Sequence, residues 1–383
     1  MIEPFAAAIP DDVLEDLRVR VARTRWAPPV GEGGWDAGPP LEYMRGLVDY
    51  WRSGFDWRRY EARLNRFAQF VAAVGGQRVH FIHERGKGPR PFPLVVTHGW
   101  PGTIIELLPV MPMLTDPASY GGDPEDAFDV VAPSIPGYGF SPLADPVNGF
   151  QVADIWSQLM SALGYRRFGA QGGDWGASVS TCLGWKAAER VVGVHLNYIP
   201  GSYRPHLDQR SAVLSANEQA FLASQEAWLQ WEGGYAAIQR TRPRTLGYGL
   251  NDSPAGLAAW VAEKLRAWSD CDGDLDRCFS RDDVLAIVTL YWVTQSMPSA
   301  IRIYYEMRKR PMHFHAGDRV SVPVAVARFA KEAPMPPREW VERSYNVVRW
   351  TEYPAGGHFP AWEQPDVLAR DIREFFRPLR TRN

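Results

Sequence analysis

Phe168-Gly169-Ala170-Gln171-Gly172-Gly173-Asp174-Trp175-Gly176-Ala177-Ser178 decides how the rest of the chain is read. It has the form of a short strand, a glycine-crowded turn and a helix start. Within it lies Gly-x-Asp-x-Gly, from Gly172 to Gly176. A strand-to-helix turn this tight strains its central residue, and Cβ atoms on its neighbours would clash. The central carboxylate is then held clear of the backbone, at the carboxyl end of a strand and the amino end of a helix, where N–H groups stabilise it. The competing reading is an ordinary glycine-rich turn capped by an aspartate. The flanking chain decides between them.

Upstream, Val79–His83 alternates as a half-covered strand does. Pro93–Thr97 and Phe128–Ala132 are short apolar runs suited to strands covered on both faces. A helical pattern over Val152–Leu163 separates them from the turn. Downstream come Val191–Leu196, Val322–Phe329 and Val347–Trp350, then an amphipathic helix from Asp366 to Phe376. Strands alternating with helices predict an α/β fold, a mostly parallel sheet flanked by helices. Residues 1–75 read as an N-terminal helical meander. Its first helix is capped by Asp11 or Asp12, and a break over Pro28–Gly38 follows. Residues 76–201 and 321–383 read as the two parts of the core. Residues 202–320 are helical and rich in Trp and Tyr, and read as an inserted cap, with Asn251-Asp252-Ser253-Pro254 opening one helix.

Composition sets the outer bounds. The chain has 383 residues, 45% hydrophobic and 22% charged, with a net charge of −2. That gives no basic field for nucleic acid. Three cysteines make no disulfide framework, and together with the lack of a signal-like N-terminus they predict a cytoplasmic protein. No run approaches ~18 apolar residues, so no membrane span is expected. Few lysines beside abundant Ala, Gly and Pro suggest a bacterial source.

With the sheet in place, Gly-x-Asp-x-Gly takes the position of the nucleophile elbow of the α/β-hydrolase fold, with Asp where Ser is usual. That fold orders its site as nucleophile, acid, histidine. Asp174 is the nucleophile. His358, in Gly356-Gly357-His358-Phe359, follows the last strand. Glu332, in Lys331-Glu332-Ala333-Pro334, is the best-placed acid, with Asp318 and Glu339 as weaker alternatives. The loop His98-Gly99-Trp100-Pro101-Gly102 supplies an oxyanion hole from the amides of Trp100 and Trp175. His98 itself reads as a turn-fixing side chain.

His98–Gly102, Pro133–Phe140 (PSIPGYGF), Gln171–Gly176 (QGGDWG) and Gly356–Phe359 (GGHF) together resemble the microsomal-type epoxide hydrolases. The resemblance runs nearly end to end, including the preamble, which looks like that family's N-terminal domain. The mammalian enzyme's membrane anchor has no counterpart, so no membrane attachment is expected. The resemblance implies two cap tyrosines that protonate the epoxide oxygen. These fall on Tyr235 and on Tyr304, with Tyr305 adjacent to the second. It also implies a small apolar or aromatic epoxide as substrate, no cofactor and no metal, and a monomer or homodimer. Detoxification or tailoring of a natural-product epoxide is the expected setting. A haloalkane dehalogenase shares the Asp elbow, and a silent hydrolase-fold binding protein shares the fold.

Other motifs carry less. Asp270-x-Asp272-Gly273-Asp274-x-Asp276 has calcium-like spacing, but its glycine is out of register and Arg281 stands where a bidentate Glu belongs, so it reads as a solvated loop. His313-x-His315 has no third ligand at useful spacing.

Overall fold

The computed structural model describes residues 1–28, 31, 34–207 and 213–382. Part of the expected break over Pro28–Gly38 lies outside them. Nine strands form one sheet: β1 (Ile2–Phe5), β2 (Gln69–Val74), β3 (Gln77–Glu84), β4 (Phe92–Thr97), β5 (Phe128–Pro133), β6 (Phe168–Gly172), β7 (Val191–Leu196), β8 (Val320–Phe329) and β9 (Tyr345–Tyr353). Their spatial order is β1-β2-β3-β5-β4-β6-β7-β8-β9. From β5 to β9 every neighbouring pair is parallel, while β1, β2 and β3 run antiparallel to their neighbours. β5, β6 and β7 are buried along their whole length, which explains why their sequences run apolar rather than alternate. This is the α/β-hydrolase sheet, and β6 near its middle delivers the elbow.

The N-terminal segment departs from a purely helical meander. It holds the helices Asp11–Ala22, Leu41–Ser53 and Trp57–Leu64, but it also contributes β1 and β2 to the sheet. The β2–β3 hairpin turns on Gly75 and Gly76, both at positive φ, +56° and +75°. Such a turn matches strand twist and favours glycine at both positions. The first helix begins directly after Pro10, with no side-chain cap; Asp11 and Asp12 lie in its first turn instead.

Between β7 and β8 the regular structure among the described residues is helical, apart from an isolated bridge between Arg204 and His313. The helices Arg281–Val293 and Met297–Ala300 are held to the loops that follow β4 and β5 by specific bonds. Tyr291 donates to the Gly102 carbonyl at 2.8 Å, Ser299 donates to the Gly137 carbonyl at 2.7 Å, and Ser296 accepts from the Gly139 amide. Among the described residues no single helix is long and apolar enough to cross a membrane.

One polar cluster lies inside the sheet–helix interface. Asp371, on the helix Pro365–Phe376, is fully buried with His195 of β7, its Oδ2 lying 2.9 Å from His195 Nε2. Its other oxygen accepts from Arg349, Thr351 and Tyr353 of β9. Burial alone would raise its pKa, but the bonds from His195 and Arg349 outweigh that and hold it below the carboxylate range. Asp371→Asn is therefore expected to destabilise the fold by about 3–5 kcal/mol, because it leaves buried partners without their anion. A urea unfolding midpoint checks this. A carboxylate depressed on folding stabilises above the unfolded carboxylate pKa and loses its contribution as pH falls through the folded one, so the wild-type advantage shrinks in strong acid.

Candidate active site

β6 ends at Gly172, and the helix Asp174–Lys186 starts two residues on. Asp174 stands between them at φ +46°, a left-handed conformation that strains a non-glycine residue. Two glycines make room for it. A Cβ on Gly176 would lie 1.9 Å from the Thr97 carbonyl oxygen, and one on Gly99 would lie 2.3 Å from Asp174 Cβ. The glycines of both loops thus let β4, β6 and the elbow helix close on one another around the carboxylate.

Trp100 donates its backbone N–H to Asp174 Oδ1 at 2.7 Å. The Trp175 amide is in the first turn of the elbow helix, where N–H groups have no intrahelical acceptor. His98 is buried behind this loop. Its Nε2 accepts from the Ile135 amide at 3.1 Å, its Nδ1 faces the Gly99 carbonyl, and burial lowers its pKa to about 4. It joins two loops as a neutral side chain, the turn-fixing role its position suggested.

His358 Nδ1 lies 2.6 Å from Glu332 Oε1, and His358 Nε2 lies 3.5 Å from Asp174 Oδ2. Glu332 follows β8, and His358 follows β9. The two alternative acids lie elsewhere: Asp318 accepts from the His315 amide, and Glu339 from Ser215 and Asn217. Burial opposes charge on His358, but the Glu332 carboxylate and then Asp174 outweigh it and hold its pKa well above the usual imidazole value.

Over this trio sits an aromatic roof. Tyr235 stacks on Trp100 with centroids 5.2 Å apart, while Tyr304 meets Trp175 edge-on at 4.7 Å and Trp100 at 5.9 Å. The two phenol rings meet edge to face with centroids 5.8 Å apart, and burial pushes both pKa values well above the usual phenol value. Lys264 places its ammonium 5.1 Å from the Tyr235 ring. Tyr305 points away from Trp100 and Trp175: its ring lies among the cations of Arg302, Arg308 and Lys309. The structure therefore brings together Asp174, His358, Glu332, Trp100, Trp175, Tyr235 and Tyr304, and separates Tyr305 from them.

Several residues of this region escape sequence reasoning. Glu363 accepts from the amides of Asp270, Gly357 and Phe359, so one carboxylate ties the histidine loop to the end of the cap. Asp270 is half-buried, and its carboxylate accepts from the Gly356 amide at 2.9 Å. Asp272 and Asp276 form ion pairs with Arg277 and Arg281. Among the described residues no cluster of His, Cys, Asp and Glu is arranged to hold a metal ion. Glu106 and Asn197 border Asp174 and His358 without any motif to mark them. The only sequence signal for Glu106 is a carboxylate within an otherwise apolar stretch, Ile104 to Leu108.

An elbow at the end of a central parallel strand, with an acid and a histidine on the loops after later strands, defines an α/β-hydrolase. A family model for the alpha/beta hydrolase fold matches residues 93–230, and one described as "Epoxide hydrolase N terminus" matches residues 2–107. A Stigmatella aurantiaca (strain DW4/3-1) protein named "Putative epoxide hydrolase" is 42% identical over all of this chain and 86% of its own length. Epoxide hydrolase 1 of Oryctolagus cuniculus is 36% identical over 98% of this chain and 88% of its own. The solved structure of Aspergillus niger epoxide hydrolase is 32% identical, with a TM-score of 0.84 over 99% of this chain and 97% of that one. The chain belongs to the epoxide hydrolase family, whose members add water to an epoxide to give a diol.

Proposed function

We propose that hydrolysis proceeds through a covalent ester on Asp174. The observation that carries this reading is the placement of the Asp174 carboxylate between a backbone donor at 2.7 Å and the His358 imidazole at 3.5 Å, beneath two phenols. Tyr235 and Tyr304 stay protonated at neutral pH and polarise the epoxide C–O bond from above. Asp174 attacks a ring carbon. The C–O bond breaks, a tyrosine proton passes to the developing alkoxide, and an alkyl ester forms. A serine at the elbow would leave an ether here, which water activated by an imidazole does not cleave.

Esterification removes the Asp174 charge, one of the two that keep His358 protonated. The imidazolium then gives its proton up to solvent while the tyrosinate takes one back, so the phenol is restored and the charges balance. Neutral His358, oriented by Glu332, draws a proton from water as the oxygen attacks the ester carbonyl carbon. The amides of Trp100 and Trp175 hold the oxyanion. Collapse breaks the acyl C–O bond, and His358 protonates the departing diol oxygen. The acid formed at Asp174 returns its proton to His358, and the cycle closes.

A single turnover of styrene oxide in ¹⁸O-water, with enzyme in excess, tests the ester. The first diol should carry no label and the protein should gain it. Label in the diol on the first turnover would sink the reading. Halide release from a haloalkane, measured alongside, separates the dehalogenase reading, which has no use for two phenols over the nucleophile. The aromatic walls made by Trp100, Trp175 and Trp268 suit an apolar or aromatic epoxide.

The two tyrosines share one task, so their losses compound. Tyr235→Phe or Tyr304→Phe alone is expected to lower the alkylation rate about 10- to 100-fold, and the pair together by more than either. Stopped-flow alkylation kinetics check this. Tyr305→Phe should leave the rate within about 3-fold, as expected of a substitution that removes no contact to the reacting atoms.

A further inference from the structure

Bordered by Asp174 and His358, and lined by neither Tyr235 nor Tyr304, lies a cavity of about 20 Å³. That is room for one water molecule, which needs ~10–15 Å³ and two to four polar partners. Its polar lining is Asp174, His358, Glu106, Gln171, Asn197 and Thr97, whose hydroxyl is already taken by the Trp156 indole. Gln171 and Asn197 are buried and bonded to one another at 2.9 Å, which fixes both amides. His358 Nε2 is buried, and its contact to Asp174 Oδ2, at 3.5 Å, is too poor in geometry to make a good hydrogen bond. Glu106 sits in the 3-10 turn Ile104–Leu107, capped by the Thr103 hydroxyl, and its carboxyl is pressed so closely onto the loop that a Cβ on Gly102 would lie 1.5 Å from Oε2. The mechanism so far gives this carboxyl no task.

We propose that Glu106 is a positioning residue for hydrolysis, holding the attacking water in this cavity between Asp174 and His358. The inference rests on the ester reading above. The water lies in a cavity that neither tyrosine lines, so substrate and water reach the same carboxyl group from different sides. Its oxygen forms the new bond to the ester carbonyl carbon, one proton goes to His358 Nε2, and the other is held in a hydrogen bond to Glu106. Glu106 is neither consumed nor left with a net change of protonation. Desolvation and then the Asp174 charge raise its pKa to about 8, against opposing contributions from the His358 charge and the Gly99 amide, so the carboxyl is a hydrogen-bonding group of the cavity rather than a free anion.

The test separates the two chemical steps by rapid-quench single turnover on Glu106→Leu and Glu106→Gln. Loss of a positioned hydrogen bond should slow ester hydrolysis about 10- to 100-fold in Glu106→Leu while alkylation stays within about 3-fold. The ester then accumulates, and kcat and KM fall together with little change in kcat/KM. Glu106→Gln keeps an acceptor at the same place and should recover most of the loss. Unchanged hydrolysis in Glu106→Leu, or equal slowing of both steps in both variants, overturns the proposal. Should Glu106→Leu not fold, Glu106→Asp, which draws the carboxyl back by one methylene, decides by the same split. The wild type in the same experiment keeps the two ideas apart. No ester in the wild type removes the covalent reading, whereas an ester that all variants hydrolyse equally removes only the role of Glu106.

Discussion

Asp174→Ala is expected to lower epoxide hydrolysis by at least ~10⁴-fold and to leave no alkylated protein detectable by mass spectrometry. The size follows from what is lost. Without a carboxylate at the elbow there is no bond to form, and the remaining route is direct attack by water on the epoxide. His358 and the tyrosines can still assist that route, but no group holds a water on the line of attack that the Asp174 oxygens now occupy. The fold should survive. Alanine at φ +46° costs about 1 kcal/mol. Aspartate carries the same backbone strain at this position, so the substitution adds little of it, and functional residues are commonly held at the expense of stability. An unchanged or raised melting temperature with activity gone is the expected pair of results. Activity retained within 10-fold would remove Asp174 from the chemistry. Alanine is a cleaner choice than asparagine, because a water activated beside His358 could convert an amide back to the acid.

The parts of this site that the sequence reveals are those whose geometry leaves a local mark. A side chain held out on a tight strand-to-helix turn needs small neighbours, and Gly172 and Gly176 announce it. The acid and the histidine follow once the strands are in order, since each stands on the loop after a strand, β8 for Glu332 and β9 for His358. The strands themselves are legible where both faces are covered, as in β5 and β7, whose apolar runs coincide with the observed elements. β1 is not legible. It is four residues with a proline, which only an edge strand tolerates, and nothing in Ile2–Phe5 distinguishes it from a loop. β2 did leave a signal: Phe70 to Val74 is followed by Gly75-Gly76, a two-residue hairpin turn. Glu106, Asn197, Asp270 and Glu363 are a different case. Each meets a partner far away in the chain, for Glu363 the Asp270 amide beside its local bonds to Gly357 and Phe359, so no spacing marks it. The tyrosines lie between. On their own they are cap side chains like any other, and only likeness to a family singles them out before the structure stacks Tyr235 on Trp100.

His358→Gln should separate the two halves of the reaction more sharply than any other substitution. Glutamine can still donate to Glu332, whose side chain is 2% exposed and would otherwise be left a buried anion without a partner. It cannot take a proton from water. Alkylation needs only ionised Asp174 and protonated tyrosines, so it should continue, while ester hydrolysis falls ~10³- to 10⁴-fold. Mixing the variant with styrene oxide should give a burst of one equivalent, a protein mass raised by that of the epoxide, and almost no further diol. Diol formed steadily without a burst would show that His358 acts before the ester rather than after it. The wild type carries a companion expectation with a definite sign. Burial lowers the His358 pKa, and Glu332 and Asp174 together raise it well above the usual value. Esterification cancels the Asp174 contribution and leaves that of Glu332, so the imidazole must be more acidic in the intermediate than in the resting enzyme. Hydrolysis should therefore rise with pH through an apparent pKa lower than the one His358 shows in the substrate-free protein by NMR titration. If the two values coincide, the Asp174 charge does not govern the base, and the switch from imidazolium to base must have another cause.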